Sequence, residues 1–187
     1  MFAGFGKKSA ATSVNVDMIS KQRRYEALVR ALHGDLYRYA YWLVHDKPVA
    51  EDLVQETFLR AWKSLDSLKD EKAAKAWLIT ILRRENARRF ERKQFDLTDI
   101  DDVPVADSSH GPAQNTEQHL VRVQIAKLAP EYREPLILQV MYGFSGDEIA
   151  TILELNRNTV MTRLFRARNQ LRDALDDSQS MSEQRNG

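Results

Sequence analysis

The stretch SGDEIATILELNRNTVMTRLFRARNQLRDAL, residues 145–175, carries the most information in this chain. Residues 147–153 place Ile149, Ala150 and Leu153 on one face of a short helix. Ala150 is small at the point where two helices must cross closely. Residues 154–156 read as a turn, and Asn156 or Asn158 can cap the helix that follows through its side-chain oxygen. In that second helix Val160, Leu164, Ala167 and Leu171 are spaced four, three and four apart and form a buried stripe. Arg157, Met161, Thr162, Phe165 and Arg166 fall largely outside it. This division suits a helix-turn-helix: the stripe seats the second helix, and the outward side chains enter a major groove to meet base edges and phosphates. An amphipathic helical hairpin with a solvated arginine face would share the spacing. Residues 157–172 hold five arginines and no acid, however. Exposed helices usually mix signs to form supporting pairs, so the pattern favours nucleic-acid binding.

Working towards the N-terminus, helical spacing covers Leu120, Val123, Ile125 and Leu128, is interrupted at Pro130, and resumes from Tyr132 to Met141 before Gly143. Residues 94–115 read as a flexible linker. They hold two prolines, a glycine and an acidic cluster, with no lasting period. Before the linker, a helix is expected over residues 71–92, with Trp77, Leu78, Ile81 and Leu82 as its apolar part and a strongly basic second half. A clearer amphipathic helix precedes it. Ala50, Leu53, Val54, Phe58, Ala61, Trp62 and Leu65 lie on one face, and Glu51, Asp52, Gln55, Glu56, Arg60 and Lys63 lie mostly on the other. Asp46 and Pro48 separate it from a helix expected from about Ser20, whose stripe is Tyr25, Leu28, Val29, Leu32, Leu36, Tyr39, Ala40 and Leu43. Residues 1–18 and the polar tail, residues 177–187, lack periodicity and are expected to be disordered. No strand-like alternation of useful length and no internal repeat occurs. The fold class expected is all-α: two small helical domains, residues 19–93 and 116–176, joined by an acidic linker.

The net charge of +1 conceals a segregation. Residues 77–94 carry six cations (Arg83, Arg84, Arg88, Arg89, Arg92, Lys93) against Glu85 and Glu91. Residues 95–117 carry six acids and no Lys or Arg. The basic, acidic, basic order suggests two anion-binding surfaces joined by an acidic connector. In the first basic run Asn86 offers paired donor and acceptor groups to a base, and Trp77 or Phe90 could stack on an unstacked one. Equally, Trp77 could be core, with the arginines keeping a long helix soluble. The polar face of AEDLVQETFLRAW, residues 50–62, suits either solvent or docking against another protein's helices.

The composition excludes several classes. With no cysteine there is no disulfide, thiol nucleophile or cysteine-ligated zinc. The four histidines, His33, His45, His110 and His119, form no set at metal-ligand spacing. No phosphate-cradling glycine loop and no GxSxG is present. No catalytic residue, metal or cofactor is therefore expected. No apolar run approaches the roughly 18 residues of a membrane span, and the N-terminus lacks a signal-peptide core, so direct membrane insertion is not expected and a cytoplasmic location is.

Taken in order, AEDLVQETFLRAW, KAWLITILRRENARRF, the acidic linker and LAPEYREPLILQVMYGFSGDEIATILELNRNTVMTRLFRAR resemble the extracytoplasmic-function (ECF) sigma factors of the sigma-70 family. The resemblance covers about residues 26–175, and several motifs in the right order make it specific. It implies a region 2 domain followed by a region 4 domain, acting in transcription initiation. It implies that Asp52, Gln55, Glu56 and Arg60 bind the β′ clamp helices of core RNA polymerase. Trp77, Arg83, Arg84, Asn86, Arg88 and Arg89 would meet the melted −10 element of promoter DNA. Arg157, Asn158, Thr159, Met161, Thr162, Arg163, Phe165 and Arg166 would meet the −35 duplex. The β flap is implied as a further polymerase contact. An anti-sigma factor, which in many family members holds the protein inactive at the inner membrane, is a further candidate partner. In the family the linker threads toward the polymerase cleft, where its acidity would repel nucleic acid.

Three departures stand out. The family often has Asn at the position of Arg84, and this chain has Asn86 two residues later, so both remain candidates for the −10 base. Gly is usual at the position of Glu154, and Pro and Gly are frequent at those of Asn156 and Asn158; Asn tolerates the left-handed backbone better than most residues. Met161 stands where Lys or Arg is frequent, so the family's −35 sequence does not carry over. The alternative reading is a helix-turn-helix transcriptional regulator that is not a sigma subunit. Such regulators usually carry an α/β sensing domain ahead of the motif, and this chain's first half lacks strands. A helical adaptor would leave the two arginine bands unexplained.

Overall fold

A computed structural model describes the backbone of residues 6–96 and 116–185, and the side chains of residues 17–92 and 120–176. Among the described residues there are seven α-helices and no strand. The chain divides into two compact units, Met1–Val103 and Pro104–Gly187. The division falls within the segment read as a linker, of which residues 97–115 lie outside the described residues.

The first unit is α1 (Gly6–Val44), α2 (Lys47–Ser64) and α3 (Ala74–Asp96), with short 3₁₀ turns at Leu65–Ser67 and Glu71–Ala73 between the last two. The stop and restart expected at Asp46 and Pro48 are present. His45 takes a left-handed backbone, φ 54°, and closes α1. Asp46 caps α2, its carboxylate accepting from the Val49 N–H at 3.0 Å, and Pro48 sits in the first turn, where its missing N–H costs nothing. Leu36, Tyr39 and Ala40 of α1 pack with Ala50, Leu53, Val54, Phe58 and Ala61 of α2 and with Leu78, Ile79 and Leu82 of α3 as the core. Ala40 and Ala50, both fully buried, let the helix backbones approach closely. Thr57, which the apolar pattern passes over, is also fully buried; its hydroxyl donates to the Leu53 carbonyl at 2.7 Å and so loses no hydrogen bond. Asp35 of α1 and Lys75 of α3 form an ion pair at 2.7 Å, and that hydrogen bond holds the Asp35 carboxyl below its ordinary value.

The second unit is α4 (Thr116–Lys127), α5 (Pro130–Tyr142), α6 (Gly146–Leu153) and α7 (Arg157–Arg185). Pro130 opens α5 rather than merely interrupting a helix, since a first-turn proline needs no N–H partner. Gly143, φ 72°, ends α5, and its N–H donates to the Gln139 carbonyl at 3.1 Å. Only glycine takes that backbone without a Cβ penalty. Buried Leu128, Leu136, Ile137, Leu138, Ile149, Ile152, Val160, Leu164 and Ala167 make up the core.

Two helices extend beyond their apolar stripes: α1 starts at Gly6, and α7 runs to Arg185. Neither extension carries a periodic apolar stripe, so the pattern could not register it. A helix already nucleated gains one hydrogen bond per added residue and needs no buried face to continue. Likewise α3 begins at Ala74, after a 3₁₀ turn, and runs past Arg92 to Asp96. Among the described residues no helix is long and apolar enough to cross a membrane.

Candidate protein and nucleic-acid interfaces

Three surfaces hold the residues singled out in the sequence. The first is the outer face of α2. Asp52 and Gln55 are exposed, and Glu56 and Arg60 are half-exposed, with Arg60 Nε donating to Glu56 Oε1 at 3.1 Å. Four residues after Gln55, on the same face, Leu59 stands 56% exposed. The face is thus polar with an apolar centre. Leu59 was not singled out in the sequence, although its absence from the buried stripe was the available signal.

The second surface is α3. Leu78, Ile79 and Leu82 anchor it in the core. Trp77 is half-buried against Leu65, Leu68 and Ala74, alongside Tyr25, Leu28 and Leu32, so much of its ring belongs to the packing. Arg84 and Arg88 are exposed, Arg83 and Arg89 are half-buried, and Phe90 is 54% exposed. The two asparagine and arginine candidates separate here. Arg84 projects outward, whereas the Asn86 Oδ1 is sealed from solvent with no hydrogen-bond partner among the described residues. Glu85 is buried, at 7% exposure, although it lies inside the basic run. Its Oε1 accepts from Arg88 Nη1 at 2.6 Å and lies 3.4 Å from Arg60 Nε of α2.

The third surface is the helix-turn-helix. Ser145 and Glu148 form a capping box: the Glu148 N–H donates to Ser145 Oγ at 3.3 Å, and the Ser145 N–H donates to Glu148 Oε2 at 2.8 Å. Hydrogen bonds from the Ser145 backbone and hydroxyl hold the Glu148 carboxyl below its ordinary range. The Ser-x-x-Glu spacing is the sequence signal for this cap. Glu154 itself takes the left-handed turn position, φ 56°, and its N–H closes α6. Of the two asparagines offered as caps for α7, Asn156 does so, its Oδ1 accepting from the Thr159 N–H at 2.7 Å.

Val160, Leu164 and Ala167 of α7 are fully buried, and Leu171 is half-buried. Arg157, Asn158, Met161, Thr162, Phe165 and Arg166 are exposed, and Thr159 and Arg163 are half-buried. Arg157 pairs with Asp147 of α6 at 3.0 Å across the exposed mouth of the motif. Met161 rests over the start of α6, where a methyl on Gly146 would come within 3.1 Å of its sulfur. Phe165 is 64% exposed. Arg166 Nη1 donates to the Tyr132 hydroxyl at 3.4 Å, and Arg168 donates to Gln139 Oε1. The helix therefore shows an outward row of arginines, amides, hydroxyls and two apolar side chains, which is the donor, acceptor and methyl-binding repertoire of a groove reader. Among the described residues no group of three or more His, Asp or Glu could hold a metal ion.

Comparison with known proteins gives the same two units in the same order. Sigma-70 region 2 matches residues 28–95, and Sigma-70 region 4 matches residues 118–171. The ECF RNA polymerase sigma factor SigL of Mycobacterium tuberculosis is 35% identical over 164 residues, covering 81% of this chain and 90% of the relative. The RNA polymerase sigma factor SigV of Bacillus subtilis is 32% identical over 133 residues, covering 71% and 80%. Among solved structures, the sigma factor RpoE of Bartonella quintana, in complex with the anti-sigma factor NepR, has a TM-score of 0.73 and 30% identity over 82% of this chain and 98% of that one. CnrH in complex with the cytosolic domain of CnrY has a TM-score of 0.60 and 27% identity over 83% and 90%.

Proposed function

The chain belongs to the ECF sigma factors of the sigma-70 family, and from that premise we propose how its three surfaces divide the work of promoter recognition. As a sigma factor it serves transcription initiation and is not an enzyme. The α2 face docks on the β′ clamp helices of core RNA polymerase. Asp52 and Glu56 supply its charge, Gln55 its amide, Arg60 braces Glu56, and Leu59 adds apolar surface that leaves water on docking. The basic band of α3 holds the melted −10 strand. Arg84 and Arg88 supply charge for the phosphates, Phe90 offers a stacking surface, and Trp77 shapes the helix from beneath. Asn86, turned inward, suits this role less well than Arg84.

The α7 row from Arg157 to Arg166 anchors the −35 duplex. Asn158, Thr159, Met161, Thr162 and Phe165 are placed for base edges, and Arg157, Arg163 and Arg166 for phosphate or guanine. Residues 19–93 and 116–176 are the working domains in this reading, with 94–115 the connector and the β flap a second polymerase contact. Strand separation is driven by binding free energy, with no cofactor. A cytoplasmic location follows from the role. An anti-sigma factor is a further partner, because a similar solved structure is described as a sigma factor bound to one: RpoE with the anti-sigma factor NepR.

The observation that carries this reading is the α7 surface, where Val160, Leu164 and Ala167 are wholly buried while Arg157, Met161, Phe165 and Arg166 stand out from the same helix. A helix-turn-helix regulator that is not a sigma subunit would need the third surface but not the first two. Mixing the purified chain with bacterial core RNA polymerase, then sequencing the transcripts the complex initiates on genomic DNA, tests it. Co-elution with reproducible start sites sharing two upstream elements is expected. No association with active core enzyme would refute the reading.

A further inference from the structure

Glu85 is a carboxylate in the seam between α3 and α2, and its surroundings form a line of alternating charge. Glu56 and Arg60 meet at 3.1 Å, Arg60 and Glu85 at 3.4 Å, and Glu85 and Arg88 at 2.6 Å. The line starts on the face assigned to polymerase and ends in the band assigned to the melted strand. Two of its atoms are shared. Arg60 Nε lies between two carboxylates, and Glu85 Oε1 lies between two guanidinium groups. The members differ in how much they need each other. Glu56, whose side chain is 46% exposed, and Arg88, at 49%, can exchange a protein partner for water or a ligand at little cost. Glu85, at 7%, cannot give up both of its arginines, because an uncompensated buried charge is strongly unfavourable.

We propose that Glu85 is a positioning residue that couples polymerase docking to capture of the −10 strand by controlling Arg88. In the free protein Glu85 draws Arg88 back against α3. When the polymerase engages Glu56, Arg60 is left to Glu85 alone, the buried carboxylate is satisfied, and Arg88 is released to a strand phosphate. Linkage requires the converse as well: strand binding through Arg88 favours polymerase binding by the same factor. The inference rests on the assignment of α2 and α3 to polymerase and strand.

Glu85→Gln keeps the shape and removes the charge that retains Arg88. The probe is a fluorescent single-stranded oligonucleotide bearing the −10 non-template sequence found upstream of the transcript start sites, and the readout is anisotropy over a salt series. With the free full chain, Glu85→Gln is expected to bind about threefold more tightly at low salt, with a log K against log salt slope steeper by about 0.7, the increment of one added single-strand phosphate contact. In an Arg88→Ala background Glu85→Gln should add nothing. In the assembled holoenzyme the gain should vanish, because Arg88 is already released. An unchanged slope in a folded Glu85→Gln protein, or the same gain without Arg88, overturns the proposal. Should Glu85→Gln fail to fold, Glu56→Gln on the exposed surface carries the test, since it too leaves Arg60 to Glu85; no gain there overturns the proposal equally. Arg88→Ala separates this failure from that of the underlying assignment. Weakened strand binding by the Arg88→Ala holoenzyme leaves the assignment standing, whereas unchanged binding removes both.

Discussion

The two arginine-rich helices, α3 and α7, look alike in sequence and differ in what they do with their charge. On α3 the cation at Arg88 is tied to Glu85, a carboxylate 7% exposed. On α7 the partners are weaker holders. Arg166 meets a tyrosine hydroxyl, Arg168 meets an amide, and Arg157 meets Asp147, whose side chain is 75% exposed. An exposed pair is worth little and yields readily to a phosphate, while a pair with one buried member is held by that member's need of a partner. The difference teaches that a count of arginines measures how much charge a helix carries, not how much of it is available to a ligand. In α7 the charge is available as the domain stands. In α3 part of it is held until another contact rearranges.

The largest expected effect separates the two units outright. Leu164→Ala empties a fully buried site under α7 and should destabilise the second unit by about 2–5 kcal/mol. Denaturant unfolding should show one transition shifted, and −35 duplex binding should fall while polymerase association survives. Loss of both activities together would mean that the units do not fold as separate bodies. Next, Gln55→Ala combined with Glu56→Ala should weaken core polymerase binding by about 2 kcal/mol, roughly thirtyfold, with −35 duplex affinity unchanged. Equal polymerase affinity in wild type and double variant would remove these residues from the docking face.

Arg166→Ala should cost about 1–2 kcal/mol of −35 duplex binding, with a smaller effect on polymerase binding. Thermal stability should move little, since its hydrogen bond to Tyr132 is long at 3.4 Å and exposed. Were stability to fall as far as affinity, the charge on α7 would prove no freer of the fold than that on α3. The smallest effect expected is a gain. Glu154→Gly removes the Cβ penalty at φ 56° and should stabilise the second unit by about 1 kcal/mol, seen as a rise in melting temperature. A fall would show that Glu154 makes up for its backbone through its side chain.

Much of this was legible in the chain itself, and the reasons are specific. The stripes of α2 and α7 were readable because each helix buries one face and wets the other, so Ala50, Leu53, Val54, Val160, Leu164 and Ala167 fall inside as their spacing requires. The restart at Asp46 and Pro48, and a cap at Asn156 or Asn158, were readable because these residues act on their own neighbours in the chain; the structure makes Asp46 and Asn156 the caps. What was not legible depends on contacts distant in sequence or on the absence of contacts. Glu85 reads as one more solvated charge among arginines, and only the approach of α2, bringing Arg60, makes it buried and bridging. The inward turn of Asn86 is set by how the helices rotate against each other, which spacing alone fixes only to within a residue or so. The first turns of α1 and the last of α7 left no trace in the pattern, because their sequences carry no periodic apolar stripe.

The left-handed Glu154 also has a meaning in the language of heredity. Either glutamate codon becomes a glycine codon by a change at its middle base, so the relaxed turn lies a single nucleotide away. A laboratory population passaged at rising temperature could reach that allele in one step, and its spread or failure to spread would show whether promoter recognition tolerates a turn relieved of its strain.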